Sequence, residues 1–131
     1  VRALHSRLHI VTAILVAAAC GGGQTPGPAA ASPGKVLHGK ATYYADKYHG
    51  RTTASGEKYD KHKLTAAHRT LAFGTKVKVT NLSNSKSVVV TINDRGPFGK
   101  TERIIDLSRA AAEKIDMIQA GVVDVTVEIL D

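Results

Sequence analysis

The sequence predicts a mainly β protein, a small closed barrel with one short helix. Three observations lead there. Residues 75–81 and 122–130 alternate apolar and polar side chains, the period of a half-buried strand. Residues 87–93, SVVVTIN, form a further strand pattern directly after a polar turn. Only residues 108–115 have a helical composition, so several short strands and one short helix must account for residues 37–131.

The first residues stand outside that fold. Arg2 and Arg7 precede the apolar run of residues 10–19, the order found in a secretory signal. The run is shorter than the roughly 20 apolar residues a spanning helix needs. It ends Ala17-Ala18-Ala19-Cys20-Gly21, and a cysteine after small residues resembles a bacterial lipobox. Residues 1–19 are therefore expected to be a lipoprotein signal, with Cys20 lipidated and holding the chain to a membrane. That makes it an exported bacterial lipoprotein facing the cell wall, in the outer membrane and periplasm if the cell is Gram-negative. Residues 20–36 are mostly Gly, Pro, Ala and Ser and bury too little surface to offset chain entropy. They read as a flexible tether. Cys20 is the one cysteine, so packing and not a disulfide must hold the domain together.

The elements follow in order. Val36 to Ala45 carries small and aromatic residues in a strand-like run. In residues 75–81, Val77 and Val79 take one face and Lys76 and Lys78 the other. Residues 82–86, LSNSK, make the turn to a hairpin partner at 87–93. Val88, Val90 and Ile92 share a face; Asp94 has their parity, unless the strand bends near Asn93. Arg95 then alternates away to brace the loops. Ile104 to Leu107 is a short strand. Ser108 is the N-cap candidate for the helix. Gly121 precedes the last strand, where Val123, Val125, Val127 and Ile129 lie on one face.

The formal net charge is +7, and between Lys35 and Lys78 ten Lys or Arg face three acids. The default reading is a solvated basic surface, which a polyanionic or cell-wall partner can use. Nucleic acid is not expected to meet an exported chain.

Three segments break the strand pattern with polar groups: residues 53–60 with Glu57, residues 64–68 with His68, and residues 93–97 with Asp94. Two carboxylates and a histidine beside Gly or small residues fit general acid/base work. Each also has a plainer reading. Asp94 beside Arg95 fits an ion pair or a turn, Glu57 a surface loop, and His68 a satisfied core histidine. His38, His49, His62 and His68 show no i, i+4 pair and no cysteine partner, so no metal is expected.

Taken together, these segments resemble the rare lipoprotein A (RlpA) family from about Gly39 to Ile129. The resemblance rests on Tyr43-Tyr44, Tyr48-His49-Gly50, Thr53-Ala54, Gly56-Glu57, Tyr59-Asp60, Thr65-Ala66-Ala67-His68, Gly74-Thr75, Val88 to Pro97, and Ile105-Asp106-Leu107-Ser108. It implies a double-psi β-barrel and an endolytic peptidoglycan lytic transglycosylase. Such an enzyme cleaves the β-1,4 bond between N-acetylmuramic acid and N-acetylglucosamine, leaves a 1,6-anhydro end, and serves wall organisation and daughter-cell separation. Some members prefer peptide-stripped glycan.

The resemblance further implies Asp94, Glu57 and His68 as catalytic residues, with Tyr44, Thr65, Asn93 and Arg95 binding substrate. No cofactor is implied, and the chain is expected to act as a monomer with divisome or wall amidase partners. Ala72 stands where members have proline, Ser85 and Asp116 where glycine is common, and no septal-binding module follows before Asp131. The competing reading is a non-catalytic polysaccharide-binding barrel of the expansin or barwin type. Ordinary hydrolysis by water is a third.

Overall fold

The computed structural model describes residues 32–99 and 101–130. The expected signal, the lipid-bearing Cys20 and most of the tether lie outside the described residues. Six strands and one helix are formed: β1 Val36–Tyr43, β2 Thr65–Ala67, β3 Lys76–Asn81, β4 Ser87–Asp94, β5 Arg103–Leu107, α1 Arg109–Lys114 and β6 Val123–Ile129. A single 3₁₀ turn, Asp46–Tyr48, follows β1. The strands close into a barrel in the order β1-β5-β2-β4-β3-β6. Pairs β1/β5 and β2/β4 are parallel and the other four antiparallel. Closure leaves no free sheet edge.

The expected barrel and its alternating strands are borne out. Val77, Val79, Val88, Val90, Ile92, Val123, Val125, Val127 and Ile129 are all buried in one core. Each such side chain contributes about 1.5–3 kcal/mol on burial. The hairpin is also as expected, with Val79 opposite Val88 and Thr80 opposite Ser87. Ser108 caps α1, its hydroxyl accepting from the Ala111 N–H at 3.3 Å. The same hydroxyl accepts from the Thr65 N–H at 3.3 Å, which ties the helix to β2.

Three features differ from the sequence expectations. First, β2 is a strand, where residues 64–68 read as a polar interruption. It has only three residues, too few for a period to show. Second, the last residues of the expected tether are bonded to the barrel: Gly34 N–H donates to Ile129 O at 2.7 Å and Ile129 N–H to Lys35 O at 2.9 Å. Third, β4 bends at Asn93. Ala66 pairs with Ile92 but Ala67 pairs with Asp94, so Asn93 is the extra residue of a bulge. Asp94 thereby leaves the face shared by Val88, Val90 and Ile92.

Candidate functional site

That bulge sets the site. In the core, Leu107, Ala66 and Ile92 lie side by side on β5, β2 and β4. One residue further on, the opposite face carries a row across four strands: Thr42 on β1, Asp106 on β5, Ala67 on β2 and Asp94 on β4. Two acids thus flank a buried alanine. Above the row opens a cleft of about 960 Å³, lined among others by Tyr44, Tyr48, Asp94, Phe98, Arg103 and Asp106. A smaller pocket of about 250 Å³ lies on the other side of Tyr44 and Asp94, against Arg51, Thr53 and Tyr59.

Asp94 is held by three donors. Its Oδ1 accepts from the Ala54 N–H at 2.9 Å and the Arg95 N–H at 2.8 Å. Its Oδ2 accepts from the Tyr44 hydroxyl. A carboxylate offers about four lone-pair positions. Both on Oδ1 are filled and one on Oδ2 remains. Tyr44 is fixed in turn by stacking on Tyr59, ring centroids 4.4 Å apart. Burial, then the hydrogen bond to Asp94, pushes the Tyr44 phenol far above its ordinary value, so it stays a donor. Tyr43 turns away and donates to Ile118 O at 2.7 Å.

Glu57 sits on the loop that grips Asp94 from the side. Thr53 N–H donates to Glu57 O at 2.7 Å, closing the turn that aims the Ala54 N–H at the carboxylate. Gly56 takes a φ of +90° there, a conformation open to glycine. The Glu57 side chain itself is exposed, with no hydrogen bond or ion pair among the described residues. It does not meet Asp94 in a shared pair.

His68 is buried behind the site, only 7% exposed. Its Nδ1 accepts from the Thr70 and Leu71 N–H groups, each at 3.2 Å, and the His68 backbone N–H donates to the Asp94 backbone carbonyl at 3.1 Å. The ring hydrogen-bonds no carboxylate. Burial first, then the charges of Arg95 and Arg69, push its pKa below the ordinary value. Arg95 also points to this loop. Its guanidinium donates to Leu71 O at 2.7 Å and stacks 4.0 Å from the Phe73 ring, so it braces this loop, although the bulge at Asn93 breaks the parity from which that role was expected. Arg69 Nε donates to Pro97 O from the other direction.

The remaining expected residues fall elsewhere. Asn93 is buried at the bulge, its carbonyl accepting from Ser55 N–H at 3.3 Å. Thr65 lines neither pocket; its backbone is bonded to Ser108 on both sides. Of the seven residues named from sequence within the barrel, Asp94, Tyr44 and Arg95 line the cleft. Glu57 and His68 approach Asp94 through loops.

Sequence reasoning missed Asp106, Arg103 and Phe98 as cleft residues. Asp106 carried a signal: it is the one acid between the apolar Ile105 and Leu107, so its parity had to turn it outward. Phe98 is 76% exposed at the rim, beside the Gly96–Pro97 turn. Among the described residues no three His, Cys, Asp or Glu side chains group to hold a metal.

A closed six-stranded barrel with two parallel pairs and carboxylates on an open cleft defines the class, a double-psi β-barrel with an acidic site. The chain belongs to the family described as lytic transglycolase, whose sequence profile matches residues 36–127. It is similar to a probable endolytic peptidoglycan transglycosylase RlpA of Treponema pallidum, 54% identical over 96 residues, 73% of this chain and 30% of that protein. The endolytic peptidoglycan transglycosylase RlpA of Campylobacter jejuni is 46% identical over 108 residues, 82% of this chain and 39% of that protein. The chain thus spans about a third of the length of these curated relatives.

Among solved structures, the Streptomyces papain inhibitor superposes with a TM-score of 0.64 and 26% identity, over 78% of this chain and 100% of that one. A Clavibacter michiganensis expansin superposes with a TM-score of 0.59 and 21% identity, over 74% and 51%, a likeness of fold alone.

Proposed function

We propose that this domain is an endolytic lytic transglycosylase acting on peptidoglycan, with Asp94 as its acid and base. The observation that carries the reading is the Asp94 hydrogen-bond set, which fills all but one lone-pair position and leaves that one on Oδ2 at the cleft. Membership of the family, and the printed names of its relatives, support the substrate class.

In the proposed reaction, a proton on Asp94 Oδ2 passes to the departing glycosidic oxygen as its bond to the muramic anomeric carbon breaks. The C6 hydroxyl oxygen of the same sugar then bonds that carbon and returns its proton to Asp94. The product is a 1,6-anhydro end, and no water is consumed. The Tyr44 phenol and the Ala54 and Arg95 N–H groups orient the carboxyl throughout. His68 acts through the backbone, holding the 68–71 loop against Asp94, while Glu57 meets the glycan from the rim.

Asp94→Asn keeps the shape of the side chain and removes the transferable proton. It is expected to leave the melting temperature within a few degrees and to slow release of 1,6-anhydro products by about 100-fold or more. Retained release with Asn at this position would end the assignment.

Peptide-stripped glycan suits the cleft through Arg103. The four ion pairs among the described residues leave Arg103 out, and its longest reach is to the Thr42 hydroxyl at 3.5 Å. Removing a stem peptide frees a lactyl carboxylate, a natural partner for that guanidinium. Arg103→Gln should reduce the preference for stripped over intact strands by about tenfold. Rates on both substrates falling equally would speak against it. Export, a lipid anchor on Cys20 and a place at the division site complete the proposal.

A further inference from the structure

We infer that Asp106 is the second working carboxylate of the cleft, stabilising positive charge on the sugar ring whose glycosidic oxygen Asp94 protonates. The inference rests on the transglycosylase reading above.

The placement comes from register. Ala67 pairs with Asp94 on one side and with Asp106 on the other. The two acids are therefore two strand spacings apart, about 9–10 Å between Cα atoms, on the same face. That span accommodates the roughly 5–9.5 Å between carboxyl groups in two-carboxylate glycoside chemistry. Ile105 and Leu107 are fully buried, which fixes Asp106 outward, and both acids line the one cleft. Tyr44, which touches Asp94, also feels the Asp106 charge.

Asp106 is held as a site residue is held. Its Oδ1 accepts from the Thr42 hydroxyl, directly opposite on β1. Among the described residues nothing donates to its Oδ2, which faces Gly96, where a Cβ would lie 3.5 Å away. Gly96 also has a φ of +139°, which an L side chain rarely adopts, so the backbone passes Asp106 without covering it. Of the other acids nearby, Asp46 lines the cleft but faces the Arg109 guanidinium at 4.0 Å, and Glu57 is exposed on a loop outside the cleft lining. When the glycosidic bond breaks, the anomeric carbon and ring oxygen gain positive charge. A fixed carboxylate facing them lowers that barrier. Asp106 keeps its own protonation through the step, since the only proton moved leaves from Asp94 and returns to it.

The test uses soluble peptide-stripped glycan strands, the full chain, and the variants Asp106→Asn and Thr42→Val. Asp106→Asn is expected to lower kcat about 100-fold with KM within about threefold of the parent, and any product released still has a 1,6-anhydro end. Thr42→Val keeps the charge and loses its aim, so kcat should fall about 5–10-fold with the melting temperature nearly unchanged. A folded Asp106→Asn chain with kcat within threefold of the parent overturns the inference. So does a variant that changes KM alone. Should Asp106→Asn not fold, Thr42→Val with the parent's kcat overturns it. An unmodified chain that releases no anhydro ends sinks the transglycosylase reading and this inference together, whereas an active parent with an unaffected Asp106→Asn sinks only the latter.

Discussion

His68 shows how a residue can matter to a site without touching it. Its Nδ1 accepts from two N–H donors of its own loop, so the ring is neutral with its proton on Nε2. Burial and two nearby guanidinium groups hold its pKa below 6.5. As pH falls through that value, the unfolded chain takes up the proton before the folded one does. The stability that rests on neutral His68 is therefore whole above about 6.5 and lost below it. The melting temperature should drop by a few degrees between pH 7.5 and 5.5. In His68→Asn, where the amide oxygen can accept the same N–H groups, that part of the slope should vanish. An unchanged slope would show that other groups titrate there.

At this scale the sequence was half legible. Asp94 stood out because Asn-Asp-Arg-Gly-Pro breaks an apolar strand. The roles of His68 and Arg95 depended on which backbone lay beside them, which no spacing reveals.

The strands themselves were the most readable elements, because Val77, Val79, Val88, Val90 and the β6 valines must share a face to bury. Two local features overrode the pattern. The bulge at Asn93 turned Asp94 to the opposite face from Val88, Val90 and Ile92, and parity alone cannot register an extra residue. The three-residue β2 was hidden, yet it lies between β4 and β5 and sets the spacing of both cleft acids.

The turns carry their own cost. Among the described residues, Ser85 and Asp116 are the non-glycine residues with positive φ, at 62° and 52°. These are the two positions where the family resemblance led us to expect glycine. Left-handed backbone costs an L residue about 1–2 kcal/mol, part of which glycine returns through its freer unfolded state. Ser85→Gly should raise the unfolding free energy by about 0.5–1 kcal/mol in urea titration. Asp116 is a less direct test, since its carboxylate also pairs with Lys86. A neutral or destabilising Ser85→Gly would mean the serine side chain contributes more than its backbone strain.

For the whole molecule, closure of the barrel gathers residues far apart in sequence, from Thr42 to Asp106, onto one rigid face. The net charge of +7 favours approach to anionic wall polymers without specifying any reaction. A double-psi barrel with this charge serves equally well to grip polysaccharide or to cut it, so the products decide. The most direct measurement is mass spectrometry of soluble fragments released from amidase-treated sacculi by the purified chain. Transglycosylation predicts fragments ending in 1,6-anhydro-muramic acid, one water lighter than reducing-end fragments, and their loss in Asp94→Asn. Reducing ends, or firm binding to the sacculi with no fragments released, would contradict it.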